Sequence, residues 1–478
     1  MLKKYLPYFL LTIIVLTFSL TLLLNLQYPR EICNDEFYYV PAGQTIWQTP
    51  NEPNLEHHPP LAKYLIGFGI MTVGNYSIGW RLIPALFGII GLILVFFLTK
   101  EVLSLSANGD RKVTIFFSLF APFLLAFDFL YFTMSRQAML DIFVTTFLIA
   151  TSLFIWKYIQ TQRKIFIILL AIFFGLALAS KWTTILFAPL FLFLTLKYTK
   201  TRKIQKKSFK IVMFEYLLIG LIGATVYLCT YIPYLLKNNA GEFMILQKDI
   251  LVRMLYTKET NGGGTSPFNT IFWPFFPSNT LSCYFDYEDN VNPHSLSIIS
   301  NPLIIWFFWP VLIYSFYQAF KKKEIKRFFI PIIIICLYLP WLAVEREKYF
   351  YYMTPVIPFL CILIAQMVFD FITTKGKSGL NNIKPQNPIF LPNKDLLDKI
   401  IIFLYKLQEK THKGKLFQKL SKKADTLIAN KLLIYILVIC YLLLVILLFI
   451  LYYPLLNGLP VSESYRNTVT FFWPFLFK

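Results

Sequence analysis

A chain of 478 residues that is 57% hydrophobic, 18% aromatic and only 15% charged is not a soluble domain. Its repeated apolar runs of about 20 residues mark an all-α polytopic membrane protein. The net charge of +21 would suggest nucleic acid in a soluble chain. Here it sorts to one side of the membrane and reads as a topology signal, with contact to anionic lipid as its further use.

About eleven spans are expected, near 6–26, 82–99, 113–131, 138–156, 165–180, 183–197, 211–235, 303–320, 328–344, 350–372 and 432–453. The first has a basic start and an apolar stretch too long for a signal peptide, with no small-residue cleavage site after it. It reads as an uncleaved span with a cytoplasmic N-terminus. Most Lys and Arg then fall at cytoplasmic ends, including Lys197 to Lys210 and Lys321 to Arg327, and the outer side is close to neutral. Five regions follow: a membrane catalytic half (1–235), a second outer loop (236–302), three further spans (303–372), a basic cytoplasmic insert (373–431), and a last span with an outer tail (432–478).

The first outer loop, 27–80, holds adjacent carboxylates Asp35 and Glu36, then His57 and His58 ahead of Pro59-Pro60, then Lys63. Residues 61–73 are apolar but too short to cross, so an interfacial helix begun by the two prolines is expected. Gly79-Trp80-Arg81 opens span 2, where Gly88 and Gly91 permit close helix packing.

Span 3 leads out to Asp128 and the segment YFTMSRQAMLD, with Arg136 and Asp141 near the outer mouth of spans 3 and 4. Charges at that depth mark function, or else an Arg136–Asp141 pair pins two helices. Span 5 ends in Lys181-Trp182, and the lysine either snorkels to the interface or binds an anion there.

The second outer loop contains NGGG, which lacks the Gly-Lys-Ser/Thr of a P-loop and reads as a connector. Trp273, Phe275 and Phe276 read as interfacial aromatics, and the loop is placed to cover the first one. The outer turn EREKYFYYMTP (345–355) suits a headgroup site or an ordinary wet turn. Within the insert, 394–429 reads as a basic amphipathic helix on anionic lipid. The 6 cysteines show no metal spacing. Only Cys33 and Cys283 lie in outer loops. A bridge between them is conceivable, but isolated, inert thiols are the expected state.

Asp35, Glu36, His58, Arg136, Lys181 and Arg346 therefore share one membrane face. Carboxylates and cations at an interface suit glycosyl transfer from a lipid phosphate. The cations hold the leaving phosphate, and a carboxylate takes a proton from the incoming hydroxyl. One direct displacement inverts the anomeric centre, by the logic of inverting hydrolases. The chemistry invokes no metal or cofactor.

These residues resemble the dolichyl-phosphate-mannose–protein mannosyltransferases. Asp35-Glu36 is similar to that family's acidic dyad, and HHPPLAK (57–63) to its HPP-x-x-K motif. Gly79-Trp80-Arg81, Ser135-Arg136 with Leu140-Asp141, Lys181-Trp182, SPFNTIFWPF, NPLIIW, YYMTPVIPF and YYPLLNGLPV follow in the family's order. The resemblance implies a prokaryotic plasma-membrane enzyme that moves mannose from a polyprenyl (dolichyl) phosphate to protein Ser/Thr hydroxyls on the outer face. It implies Asp35 as base, Glu36 positioning sugar or acceptor, and His58 shaping the site. It implies Lys63 as a headgroup contact, and Arg136, Lys181 and Arg346 as phosphate ligands. Eukaryotic members pair, so a dimer is an expectation of the same kind. Their soluble trefoil module has no room in 236–302. The alternatives are a sister transferase moving another sugar or using a lipid or glycan acceptor, a transporter, and a noncatalytic scaffold. Clustering of charge at one face, without an inverted repeat, weighs against transport.

Overall fold

The computed structural model describes residues 2–48, 57–104, 111–198, 204–256, 270–275, 282–285, 294–322, 324–344, 348–373 and 431–470. The connector NGGG, Phe276, Arg346 and the whole interior of the 373–431 insert, including the amphipathic helix expected at 394–429, lie outside them.

The architecture is a helical bundle. Among the described residues, 7 helices are long and apolar enough to cross a membrane, or 8 if one bent pair is a single span. Expected spans 5, 6 and 10 appear as shorter apolar helices: Lys164–Leu178, Trp182–Thr195 and Ile357–Thr373. At 1.5 Å rise per residue, the 15 residues of Lys164–Leu178 reach only about 22 Å, short of the roughly 30 Å hydrocarbon core. Trp182–Thr195 is a 3-10 helix containing Pro189. The count of eleven is therefore not reproduced, although most expected apolar segments are helical.

Chain order builds the site end of the bundle. Helix α1 (Leu2–Leu23) delivers the chain to a first loop. That loop contains α2 (Glu36–Gln48) and α3 (Leu61–Val73), the second begun by Pro60 as expected. The sequence reading had no helix over α2, whose Pro41 and Gly43 disguise it. Helices α2 and α3 cross tightly: a Cβ on Gly67 would stand 2.2 Å from the Gly43 carbonyl oxygen. Helix α4 (Ser77–Ser104) follows.

Span 3 is broken. Arg111–Ala126 and Phe129–Ser135 meet at 68°. Asp128 stands in the break and caps the second piece, accepting from the Tyr131 amide at 2.8 Å. Its other oxygen accepts from Ser300 Oγ at 2.6 Å. The Asp128 carboxylate is fully buried. Polar backbone freed at a break in apolar surroundings needs such partners.

The next helix, Leu140–Thr161, is the axis of the bundle, with nearly every residue enclosed. Its hydroxyls bond back to carbonyls one turn earlier, as Thr145 does to Asp141 at 2.7 Å and Thr151 to Phe147 at 2.8 Å, so none is stranded. Helices on the rim show the reverse pattern. Phe9, Leu20, Phe214, Leu217 and Leu443 are each about 60% exposed, which water would not tolerate and acyl chains do.

Among the described residues, two short antiparallel strand pairs are present: β1 (Leu196–Tyr198) with β2 (Ile204–Lys206), and β3 (Ser282–Phe285) with β4 (His294–Ser297). Cys33 is bonded to Cys283 of β3, with Cα atoms 6.0 Å apart. The expectation of isolated thiols is overturned. Behind the hairpin, Ser300 and Asn301 are pinned on Asp128, which returns β3 to the first loop. A separation of 250 residues hid this from sequence spacing.

Candidate active site

The carboxylate pair divides into two unlike groups. Glu36 opens α2 and is fully buried. Its Oε1 accepts from Arg81 Nε and from the Ala138 amide, both at 2.8 Å. Its Oε2 accepts from Arg81 Nη2 at 2.7 Å and from the Cys33 amide at 3.0 Å. A carboxylate offers about four lone-pair sites, so none is left for sugar or acceptor. Arg81 also donates to the carbonyls of Pro29 at 2.6 Å and Glu31 at 3.1 Å. This bidentate buried pair fixes the turn between α1 and α2.

Asp35, one residue earlier, is half-buried. Its Oδ2 accepts from the Tyr351 hydroxyl at 2.7 Å, and the Tyr39 hydroxyl lies 3.5 Å away. Tyr351 belongs to a short 3-10 turn, Phe350–Met353. Burial, and then the adjacent Asp35 charge, raises the Tyr351 phenol well above its ordinary range, so it stays a neutral donor.

The other face of Tyr351 meets Lys181. The ammonium lies 5.5 Å from the Tyr351 ring centre and 5.3 Å from that of Tyr352. It does not snorkel. It is buried and donates to both oxygens of Asp141, at 3.0 and 2.9 Å. Asp141 thus pairs with Lys181, and the alternative of an Arg136–Asp141 pin is corrected. Asp141 and Lys181 stand in a narrow cleft whose walls include Val144, Leu148, Trp341 and Tyr352. A charged head with apolar sides is the chemistry of an amphiphile site.

The remaining expected residues sit around this core. Lys63 is buried, and its Nζ donates to the His58 carbonyl at 2.9 Å, latching the Pro59-Pro60 turn. The His58 ring lies 6.1 Å from that of Tyr39. Arg136 is buried, and its Nη2 donates to the Asn25 and Tyr28 carbonyls at 2.6 and 3.3 Å. Its Nε and Nη1 have no hydrogen-bond partner among the described residues. Arg136 does not line the cleft with Lys181. Arg346 lies outside the described residues.

Sequence reasoning missed Tyr351 as a partner of Asp35 and Arg81 as a partner of Glu36. The motif YFYYMTP was visible, but nothing in it singles out one tyrosine. Among the described residues, no group of His, Cys, Asp and Glu could hold a metal ion.

A helical bundle with apolar spans, a paired cation in a cleft with apolar walls and a half-buried carboxylate nearby is suited to an amphiphilic anion at a membrane face. Residues 57–228 match the family described as dolichyl-phosphate-mannose-protein mannosyltransferase. The polyprenol-phosphate-mannose–protein mannosyltransferase of Mycobacterium tuberculosis is 25% identical, over 72% of this chain and 77% of that protein. The Saccharomyces cerevisiae protein O-mannosyltransferase Pmt1-Pmt2 complex, bound to its sugar donor, shares the fold with a TM-score of 0.68 at 10% identity, over 97% of this chain and 92% of the yeast chain. ArnT from Cupriavidus metallidurans, bound to undecaprenyl phosphate, matches with a TM-score of 0.52 at 14% identity, and this chain spans 59% of that chain's length.

Proposed function

We propose that this enzyme transfers mannose from a polyprenyl-phosphate donor to Ser or Thr hydroxyls of proteins, with inversion at the anomeric carbon. One observation carries the reading: Tyr351 joins a half-exposed carboxylate, Asp35, to a buried cation, Lys181, at the head of an apolar cleft.

In this scheme Asp35 takes the proton of the acceptor hydroxyl as its oxygen attacks the anomeric carbon. The bond from that carbon to the phosphate oxygen breaks, and its electron pair leaves with the lipid phosphate. Lys181 sits where that negative charge develops. The apolar walls of the cleft take the first part of the lipid chain. Tyr351 holds Oδ2 of Asp35, leaving the other oxygen to face the acceptor. Glu36 with Arg81 holds the turn on which Asp35 stands, while Lys63 and His58 brace its neighbour. Arg136, buried apart from the cleft and bonded to the Asn25 and Tyr28 carbonyls, is a phosphate candidate on sequence grounds alone. Arg346 stays a candidate on sequence grounds alone. Every step uses side chains of this chain.

The distribution of Lys and Arg supports a cytoplasmic N-terminus and a site on the outer face of a prokaryotic plasma membrane. Pairing of protomers is part of the same proposal, on the analogy of the yeast complex.

The deciding test is transfer of labelled mannose from synthetic polyprenyl-phosphate mannose to a Ser/Thr-rich peptide, wild type against Asp35→Asn. Transfer by the wild type and its near-complete loss in the variant are expected. Equal transfer removes Asp35 as base. Donor binding without transfer moves the reading to another sugar or a lipid acceptor.

A further inference from the structure

Besides the Tyr351 hydroxyl on Asp35, the turn Cys33–Glu36 is held from three further sides, and only one of these holds is covalent. From α4, Arg81 grips Glu36. From the segment after the broken span, the Ala138 amide reaches Glu36 Oε1 at 2.8 Å and Gln137 Nε2 reaches Cys33 Sγ at 3.4 Å. From the second loop, Cys283 is bonded to Cys33. The turn also closes on itself, because the Glu36 amide donates to the Cys33 carbonyl at 3.1 Å while the Cys33 amide donates to Glu36 Oε2. Asp35 lies inside this turn, two residues from the bridged sulfur.

The strand that carries Cys283 is itself anchored. Cys283 is opposite Leu296, which is fully buried, and the chain after β4 is fastened by Ser300 and Asn301 to Asp128. Asn301 also donates to the carbonyls of Phe127 and Val445 at 3.1 and 3.3 Å. The bridge therefore ties the turn to a fixed post rather than to a loose end. None of the residues around the Lys181 cleft belongs to the turn or to the hairpin.

We infer that Cys33 and Cys283 are positioning residues for the base: the disulfide holds Asp35 in register with the acceptor, and its reduction slows transfer without emptying the donor site. The inference rests on the proposed function. Reduction by a dithiol is balanced as follows. A reductant thiolate attacks Sγ of Cys283, the more accessible sulfur, since Cys33 is only 2% exposed. Cys33 leaves as a thiolate and is protonated. The reductant's second thiol closes on the mixed disulfide, freeing Cys283 as a thiol and leaving the reductant as a cyclic disulfide.

The experiment uses the full chain folded and oxidised in detergent, then treated with dithiothreitol, with both thiols counted by alkylation and mass. Three quantities are read: kcat for mannose transfer, KM for acceptor peptide, and retention of polyprenyl phosphate as a donor-site probe. Reduction is expected to lower kcat by about 10-fold to 100-fold, the scale of a base displaced by about 1 Å. Retention should hold, and reoxidation should restore the rate. Cys283→Ser and the Cys33→Ser/Cys283→Ser double variant should behave alike, and neither should respond to dithiothreitol. Equal rates before and after reduction overturn the inference. So does parallel loss of transfer and retention, which marks a general staple rather than a positioning device. If the oxidised wild type retains polyprenyl phosphate but never transfers mannose, the functional reading fails first and the inference falls with it.

Discussion

The hydroxyl of Tyr351 donates to Oδ2 of Asp35 across 316 residues of sequence, at 2.7 Å. Its ring meets the ammonium of Lys181 at 5.5 Å. One side chain thus sets the spacing between Asp35, the proposed base, and the Lys181 cation. Tyr351→Phe keeps the ring and removes the hydroxyl. We expect kcat to fall by about 100-fold, the low end for losing one positioned polar contact at a reacting group, with retention of polyprenyl phosphate unchanged. Unaltered kcat would detach Tyr351 from the base.

Lys181 is the cation beside the cleft. Lys181→Met preserves its length and removes its charge. Because the leaving phosphate loses its counter-charge, transfer should drop by about 100-fold and retention of polyprenyl phosphate should weaken with it. Asp141 is left as a buried, unpaired carboxylate in that variant. Lys181→Met/Asp141→Asn is therefore the control that separates lost phosphate contact from a stranded charge: it should recover thermal stability but not retention.

Glu36 and Arg81 make the opposite prediction. Both are fully buried, so removing one strands the other. Arg81→Met should cost about 3–5 kcal/mol of stability, seen as a lower melting temperature in detergent. Glu36→Gln/Arg81→Met should regain part of that stability. Its transfer rate should stay low, because the turn that carries Asp35 has lost its grip. Full activity in the double variant would show that the pair does not position the base.

Packing supplies a fourth test, away from charge. A Cβ on Gly88 would stand 2.3 Å from Ser135 Oγ, while the Gly88 carbonyl accepts from Tyr131 at 2.8 Å. Gly88→Val forces α4 away from the broken span at an expected cost of about 1–3 kcal/mol. Gly220, with nothing within 4 Å of its Cβ position, is the matched site where the same substitution should be tolerated.

Much of this was legible in the chain. Apolar run length reports which segments prefer lipid, and most expected spans are helices. Pro59-Pro60 predicts the start of α3 because proline tolerates a helix's first turn. Gly88 and Gly91 predict close packing because only a missing Cβ admits it. Partner choice was not legible. Nothing in spacing says that Asp141 takes Lys181, 40 residues on, in place of Arg136, or that Glu36 takes Arg81. Both choices depend on how helices rotate against one another. Span 3 read as continuous because hydropathy averages over the break at Asp128. The bridge from Cys33 to Cys283 was legible only as a conceivable pairing of the two outer-loop cysteines, since sequence distance carries no information about which loops fold back on each other.

The Lys181–Asp141 pair has a consequence for the end of the cycle. A cation that already holds a carboxylate grips a second anion less tightly than a bare one would. Under the proposed function, the lipid phosphate left after transfer would share Lys181 with a neighbour that never departs. Such an arrangement favours escape of the used carrier over product inhibition, and turnover then depends on how readily the bilayer takes the carrier back.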